Sequence, residues 1–213
     1  MTRPDDGRVV PSWLAPLVDV VGNLRAEDLT RFVPPPEDMR RSAVLVLFGE
    51  GETGPDVLLI ERAHDMRSHA GQPAFPGGVV DDTDADVVAA ALREAEEETG
   101  LVRAGVDVLH VLPDLYLPPS GFIVTPVLAY WREPSPVTPG DPAEVASVHR
   151  VPIADLADPA NRVRVRHPSG YVGPGFEVSG LLVWGFTGGL LERLLTLGGL
   201  AQPYDATRVV ALS

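Results

Sequence analysis

Two residue types are missing from this 213-residue chain, and each absence removes a class of chemistry. There is no cysteine, which excludes disulfides, thiolate nucleophiles, thiolate-bound zinc and iron–sulfur clusters. There is no lysine either. All 17 basic residues are arginine, so P-loop lysines and Schiff-base catalysis are excluded and only guanidinium groups are left to hold an anion. Basic charge is scarce overall: 30 acidic residues leave a formal net charge of −13, which argues against a nucleic-acid partner that would want a basic face. Long apolar runs are lacking too. None approaches the ~20 residues that span a bilayer, and Trp13 to Val21 is interrupted by Pro16 and Asp19. The start, Met1 to Asp6, lacks the basic and apolar segments of a secretory signal, so a cytoplasmic location without membrane contact is expected.

What is present is ordinary globular material: 45% hydrophobic and 22% charged residues, enough for one domain with a substantial core. Residues 11–31 read as one or two amphipathic helices, followed by a stiff break at Pro34-Pro35-Pro36. Ser42 to Phe48 and Asp56 to Arg62 are paired strand candidates joined by a loop over 49–55. Residues 85–99 read as a helix, with Asp84 as its expected N-cap and Gly100 as the residue that ends it. Further strands are expected near 105–112, 122–131, 145–151 and 163–167, and a last helix over 185–197. The proline-rich stretch 133–142 is the segment most open to local disorder.

Three features are decoys. Gly49-Glu50-Gly51-Glu52-Thr53-Gly54 matches the dinucleotide fingerprint GxGxxG, yet Pro55 and another strand-like run follow where a helix is required, so a hairpin loop is favoured. The five histidines show no metal-ligand spacing. Arg162, Arg164 and Arg166 alternate with Val163 and Val165 as on a strand with one wet face, a reading favoured over contact with a substrate phosphate.

The informative segment is Arg93-Glu94-Ala95-Glu96-Glu97-Glu98-Thr99-Gly100-Leu101. At about 100° per residue, Glu94, Glu97 and Glu98 share one sector of the helix, beside an apolar stripe of Val88, Ala91, Leu92 and Ala95. Such crowding of like charge weakens a helix. Three hard oxygen donors on one face suit Mg²⁺ or Mn²⁺, and the competing reading is a solvated acidic surface.

Context favours the metal. The stretch resembles the second half of the Nudix box, G-x5-E-x7-R-E-U-x-E-E-x-G-U, in Arg93, Glu94, Glu97, Glu98 and Gly100, with Ala95 and Leu101 at the aliphatic places. The first half departs: counted from Gly78 the acidic position falls on Asp84, and one extra residue precedes Arg93. Upstream, Leu58-Leu59-Ile60-Glu61-Arg62-Ala63, Arg67, Gly71 and Phe75-Pro76-Gly77-Gly78 resemble the motif L-L-T-x-R-[SA]-x3-R-x3-G-x3-F-P-G-G of the coenzyme A branch of Nudix hydrolases, with Ile60 the one mismatch.

The resemblance implies an α/β fold, a Nudix-type α/β/α sandwich with a mixed β-sheet. Residues 1–36 would be an N-terminal helical extension packed on a single Nudix domain over 37–213. The implied function is metal-dependent hydrolysis of the pyrophosphate of coenzyme A or its derivatives to 3′,5′-ADP and 4′-phosphopantetheine. Rivals are diphosphatase action on ADP-ribose, NADH or capped RNA, and a catalytically idle ligand sensor. By the same resemblance Glu94, Glu97 and Glu98 would hold Mg²⁺ or Mn²⁺. Glu98 is the first choice to take the proton of the attacking water and Glu144 the second. Arg93 would brace the glutamates, Arg62 and Arg67 would bind substrate, and Gly71, Gly77 and Gly78 would give the backbone close approach to phosphate. Homodimerisation, the acyl state of the coenzyme A and the preferred metal stay open.

Overall fold

A computed structural model describes residues 10–32, 39–65, 70–118 and 121–212. Two short helices, α1 (Ala15–Val21) and α2 (Ala26–Leu29), lead into the long strand β1 (Arg40–Gly51). Then follow β2 (Gly54–Arg62), β3 (Pro73–Ala74), β4 (Gly77–Val79) and the acidic helix α3 (Val87–Thr99). The chain continues through β5 (Val106–Val111), β6 (Leu115–Leu117), β7 (Phe122–Trp131), β8 (Val145–Pro152) and the short α4 (Ile153–Ala157). It closes with β9 (Arg162–Arg166), β10 (Val172–Val178), β11 (Leu181–Val183), α5 (Gly185–Leu197) and β12 (Val209–Ala211).

β1 is the axis of the larger sheet, because its run Ala43–Phe48 is apolar on both sides and tolerates a layer on each face. Along one edge it pairs in parallel with β7, Arg40 to Phe48 against Phe122 to Tyr130. Along the other it pairs antiparallel with β4 through Ser42–Val44, then with β2 through Phe48–Gly51. The remaining strands of this mixed sheet add to β2 and β7. Alternate residues serve opposite layers: Ala43, Leu45 and Leu47 pack on Ala90, Ala91 and Ala95 of α3. Val46 and Phe48 face a second cluster holding Leu14 at the cap of α1, Leu17 and Val21 within it, and Leu190, Leu191, Leu194 and Leu195 of α5.

That second layer is not made of helices alone. A four-stranded sheet in the order β11-β10-β9-β12 lies there, contributing Phe176, Val178 and Val183 to the same cluster. The decoy Gly49–Gly54 forms the tight end of the β1–β2 hairpin, with Gly51 opposite Gly54 and no helix after it. The stretch 133–142 is irregular but pinned: Thr138 and Gly140 donate N–H bonds to the carbonyls of Thr99 and Glu98, at 3.0 Å each. No helix among the described residues is long and apolar enough to cross a membrane.

Candidate active site

The acidic helix starts two residues later than the sequence suggests. Asp86, in extended conformation, is its N-cap and accepts from the Ala89 N–H at 2.8 Å. Asp84 does not cap the helix because its carboxylate is taken by Arg93, whose Nε and Nη2 donate to it at 3.0 and 2.9 Å. Gly100 ends the helix in the left-handed conformation, as expected. The small side chains of Ala90, Ala91 and Ala95 let α3 lie close on the sheet, and this draws its last turn inward. Glu98 is carried into the protein with it and is only 6% exposed.

The three glutamates therefore meet three environments. Glu98 is buried and its Oε2 accepts the Gly77 N–H at 2.8 Å. Burial pushes its carboxyl up to about 7, against the Gly77 hydrogen bond and the charge of Arg62, with Glu94 and Glu144 adding to the rise. Glu94 is half-buried and is also pushed up, first by burial, with Arg93 opposing and Glu97 and Asp81 adding to it. Glu97 stands in solvent. Arg93 spans the group, donating through Nη1 to Glu94 at 3.0 Å and Glu97 at 3.1 Å, and through Nη2 to the Val79 carbonyl at 3.1 Å. The Asp84 bond, above all, holds its guanidinium firmly protonated, and Arg93 in return holds the Asp84 carboxyl below its ordinary range.

Two glycines make this geometry feasible. Gly77 sits at φ 157°, and a Cβ there would meet the Ala43 carbonyl oxygen at 2.3 Å. A Cβ on Gly78 would lie 2.4 Å from the carboxyl group of Glu94. The strand pairing of β4 with β1 thus fixes the N–H aimed at Glu98 and leaves the space that Glu94 occupies.

Other site candidates fall around this core. Arg62 ends β2; its charge reaches Glu98, and its buried Nε has no hydrogen-bond partner among the described residues. Glu144 is exposed on the turn before β8, yet its charge acts on Glu98, and its carbonyl accepts the Ala63 N–H at 2.9 Å. Gly71 donates to the Arg62 carbonyl at 3.1 Å, closing the loop that leaves β2. Arg67, within that loop, lies outside the described residues.

No ready-made cluster of three metal-ligating side chains is found among the described residues, and Arg93 spans Glu94 and Glu97. The donor chemistry nevertheless fits a hard divalent cation. Carboxylates forced together and raised by burial are groups that a cation would stabilise in the charged form.

Sequence reasoning missed a cavity of about 1450 Å³ beyond Arg62, walled by α2, β6, the second sheet and α5. It also overstated the wetness of the β9 arginines. Arg162 is buried, with its guanidinium 4.5 Å from the Phe176 ring centre, 4.3 Å from that of Tyr204 and bonded to Glu192 at 2.7 Å. Arg164 is half-buried and lines the cavity, and only Arg166 is exposed. The signal was faint because an Arg-Val-Arg-Val-Arg alternation does not say whether its polar face meets water or aromatic rings.

Comparison with known proteins decides the family. The NUDIX domain profile matches residues 39–170, which covers the larger sheet, the acidic helix and β9. This chain belongs to the Nudix family. It is 40% identical over 164 residues to a Cronobacter sakazakii protein described as an uncharacterized Nudix hydrolase NudL, covering 74% of this chain and 82% of that one. A Shigella flexneri protein of the same description is 37% identical over 166 residues, covering 75% and 83%. Nudix structures share the fold at low identity. RenU from M. smegmatis has a TM-score of 0.50 at 19% identity, covering 78% of this chain and 90% of that one. A Nudix hydrolase from Nitrosomonas europaea has a TM-score of 0.51 at 15% identity, covering 84% and 82%. The protein is thus a Nudix hydrolase, a class that acts on pyrophosphate-type bonds and generally uses divalent ions such as Mg²⁺ or Mn²⁺.

Proposed function

We propose that this Nudix hydrolase cleaves the pyrophosphate of coenzyme A or its derivatives, giving 3′,5′-ADP and 4′-phosphopantetheine or its acyl form. The observation that carries the reading is Arg62. It belongs to the upstream motif, its charge reaches the buried Glu98, and it lines the large cavity with a buried Nε that has no hydrogen-bond partner among the described residues. A cation joining the acidic helix to a substrate-sized cavity is what a diphosphate with a large appendage requires. Arg67 is assigned to the same substrate grip from the motif alone.

Glu94, Glu97 and Glu98 would hold Mg²⁺ or Mn²⁺, which offsets pyrophosphate charge and acidifies bound water. Glu98 Oε2 is engaged by Gly77, so Oε1 is the oxygen left to take the proton of the attacking water. The water oxygen bonds to one phosphorus and the bridging P–O bond breaks, its electron pair leaving with the departing phosphate. Glu144 is assigned a supporting electrostatic role, since its charge favours a proton on Glu98. Arg93 braces Asp84, Glu94 and Glu97. Gly77 and Gly78 keep the backbone close to the phosphates, and Gly71 closes the loop carrying Arg67.

The test is a substrate panel of coenzyme A, acetyl-coenzyme A, ADP-ribose, NADH and capped RNA with Mg²⁺ or Mn²⁺, with products identified by mass. Cleavage of coenzyme A species to 3′,5′-ADP at the highest kcat/KM is expected. Faster turnover of ADP-ribose or NADH would overturn the substrate assignment, and binding without cleavage would make the protein a sensor.

A further inference from the structure

The cavity beyond Arg62 carries charge opposite to that of the molecule. Its lining holds five arginines, residues 31, 62, 162, 164 and 193, against three carboxylates, within a chain of net charge −13. A chain with no lysine and few cations has gathered several around one space, and not all of them are occupied internally. Arg162 is bound to Glu192, and Arg193 donates to the Asp28 carbonyl. Among the described residues the Arg164 side chain makes one hydrogen bond, from Nη2 to the Val172 carbonyl at 3.2 Å, and pairs with no carboxylate. Arg31 likewise has no carboxylate partner there and lies 5.9 Å from the Tyr171 ring centre.

We propose that this cavity receives the nucleotide half of the substrate and that Arg164 recognises a phosphate on its ribose, with Arg31 beside it. The proposal deepens the coenzyme A reading and rests on it for the identity of that phosphate.

Arg164 is a fixed donor. It lies mid-strand in β9, opposite Pro174 of β10 on one edge and Val209 of β12 on the other, so both neighbouring strands hold its Cα. A guanidinium carries five N–H donors in one plane, and a single carbonyl uses few of them. The rest suit bidentate contact with two oxygens of a phosphate monoester bearing two negative charges. The turn from β9 to β10 adds an aromatic platform: His167 stacks on Trp184 with ring centres 5.7 Å apart and planes 23° apart, and both line the cavity. A purine base has the flat π-face that such a platform accepts. The site therefore holds a base-stacking wall, a guanidinium with no carboxylate partner among the described residues and, at its other end, the Arg62 that reaches Glu98. A phosphate bound at Arg164 is remote from the reacting bond, so its contribution is to selectivity rather than to the chemical step.

The experiment separates this proposal from the coenzyme A reading by using binding as well as turnover. Calorimetry in EDTA would measure adenosine 3′,5′-bisphosphate and adenosine 5′-monophosphate binding to the full chain and to Arg164→Gln. In parallel, kcat/KM would be measured with coenzyme A and 3′-dephospho-coenzyme A. The expected result is a preference for the 3′-phosphorylated ligand of about 10- to 100-fold, the size of one charge-assisted contact, falling to within about twofold in R164Q. Arg31→Ala, at an exposed position, is expected to lower the same preference about three- to tenfold and serves as the test if R164Q does not fold. Coenzyme A cleavage with its preference intact in these variants would overturn the cavity proposal and leave the activity standing. No cleavage of coenzyme A, but an Arg164-dependent preference for the bisphosphate, would uphold the cavity and overturn the activity. A wild-type protein indifferent to the 3′-phosphate would overturn the proposal outright.

Discussion

Glu98→Gln should make the metal-free protein more stable and the enzyme inactive. Glutamine keeps the shape and can still accept the Gly77 N–H, so the substitution removes little besides a buried negative charge. The carboxyl is raised from 4.5 to about 7 in a group only 6% exposed, an interval worth about 3 kcal/mol. The sign follows from proton linkage. Because the folded state holds the proton more tightly, the stability linked to Glu98 is fully present below pH 4.5 and is lost as pH rises to about 7. Wild type and variant should therefore differ little near pH 4, and the variant should lead by about 3 kcal/mol near pH 8. Urea unfolding in excess chelator across this range measures the difference, and all other titrating groups cancel between the two proteins. Added Mg²⁺ should narrow the gap by stabilising the wild type alone. In the substrate assay kcat should fall about a thousandfold, roughly 4 kcal/mol of barrier. Parallel stability curves, with the proteins within about 0.5 kcal/mol throughout, would refute the claim that burial strains this carboxylate.

Gly78→Ala should push aside the Glu94 carboxyl, 2.4 Å from the new methyl, at a cost of about 1–3 kcal/mol in stability. With Glu94 displaced, kcat should drop at least tenfold, and unchanged steady-state kinetics would count against Glu94 as a ligand. Glu192→Ala strips the carboxylate from a fully buried Arg162 and should destabilise the fold by about 3–5 kcal/mol in denaturant titration, while a loss under 1 kcal/mol would contradict that pairing. Activity should vanish in excess EDTA and return with Mg²⁺ or Mn²⁺. Turnover in ¹⁸O water should label a phosphate-bearing product, and label found only elsewhere would exclude attack at phosphorus.

The half of the molecule around the acidic helix was legible because its signals are local. The β-branched and leucine-rich run Ser42 to Phe48, a capped helix ending at Gly100 and carboxylates spaced on one helical face all follow from positions a few residues apart. Their burial was not legible. Glu97 and Glu98 stand about 100° apart on the wheel, with Glu98 on the side of the apolar stripe; the wheel gives that direction but not the depth, which the close seating of the alanine face on β1 sets by putting one inside and leaving the other in water. The cap was misplaced for a similar reason: Asp84 and Asp86 are both good caps, and the choice is made by Arg93 from across the loop. The second sheet was hidden by its composition. β10 reads Val-Gly-Pro-Gly-Phe-Glu-Val, weak as a strand, and its Gly175 is small because a Cβ there would strike Val165 at 2.5 Å.

β1 has neighbours on both edges along nearly its whole length: β7 on one side, β4 and then β2 on the other, with the Leu45 N–H bonded to Pro76 between them. Its amides should accordingly be among the slowest to exchange with deuterated solvent, opening only when the molecule unfolds as a whole. Gly77 is stitched to this strand, so the N–H that holds Glu98 belongs to the same cooperative unit. The buried Glu98 carboxylate is thereby referenced to the last part of the protein to come apart.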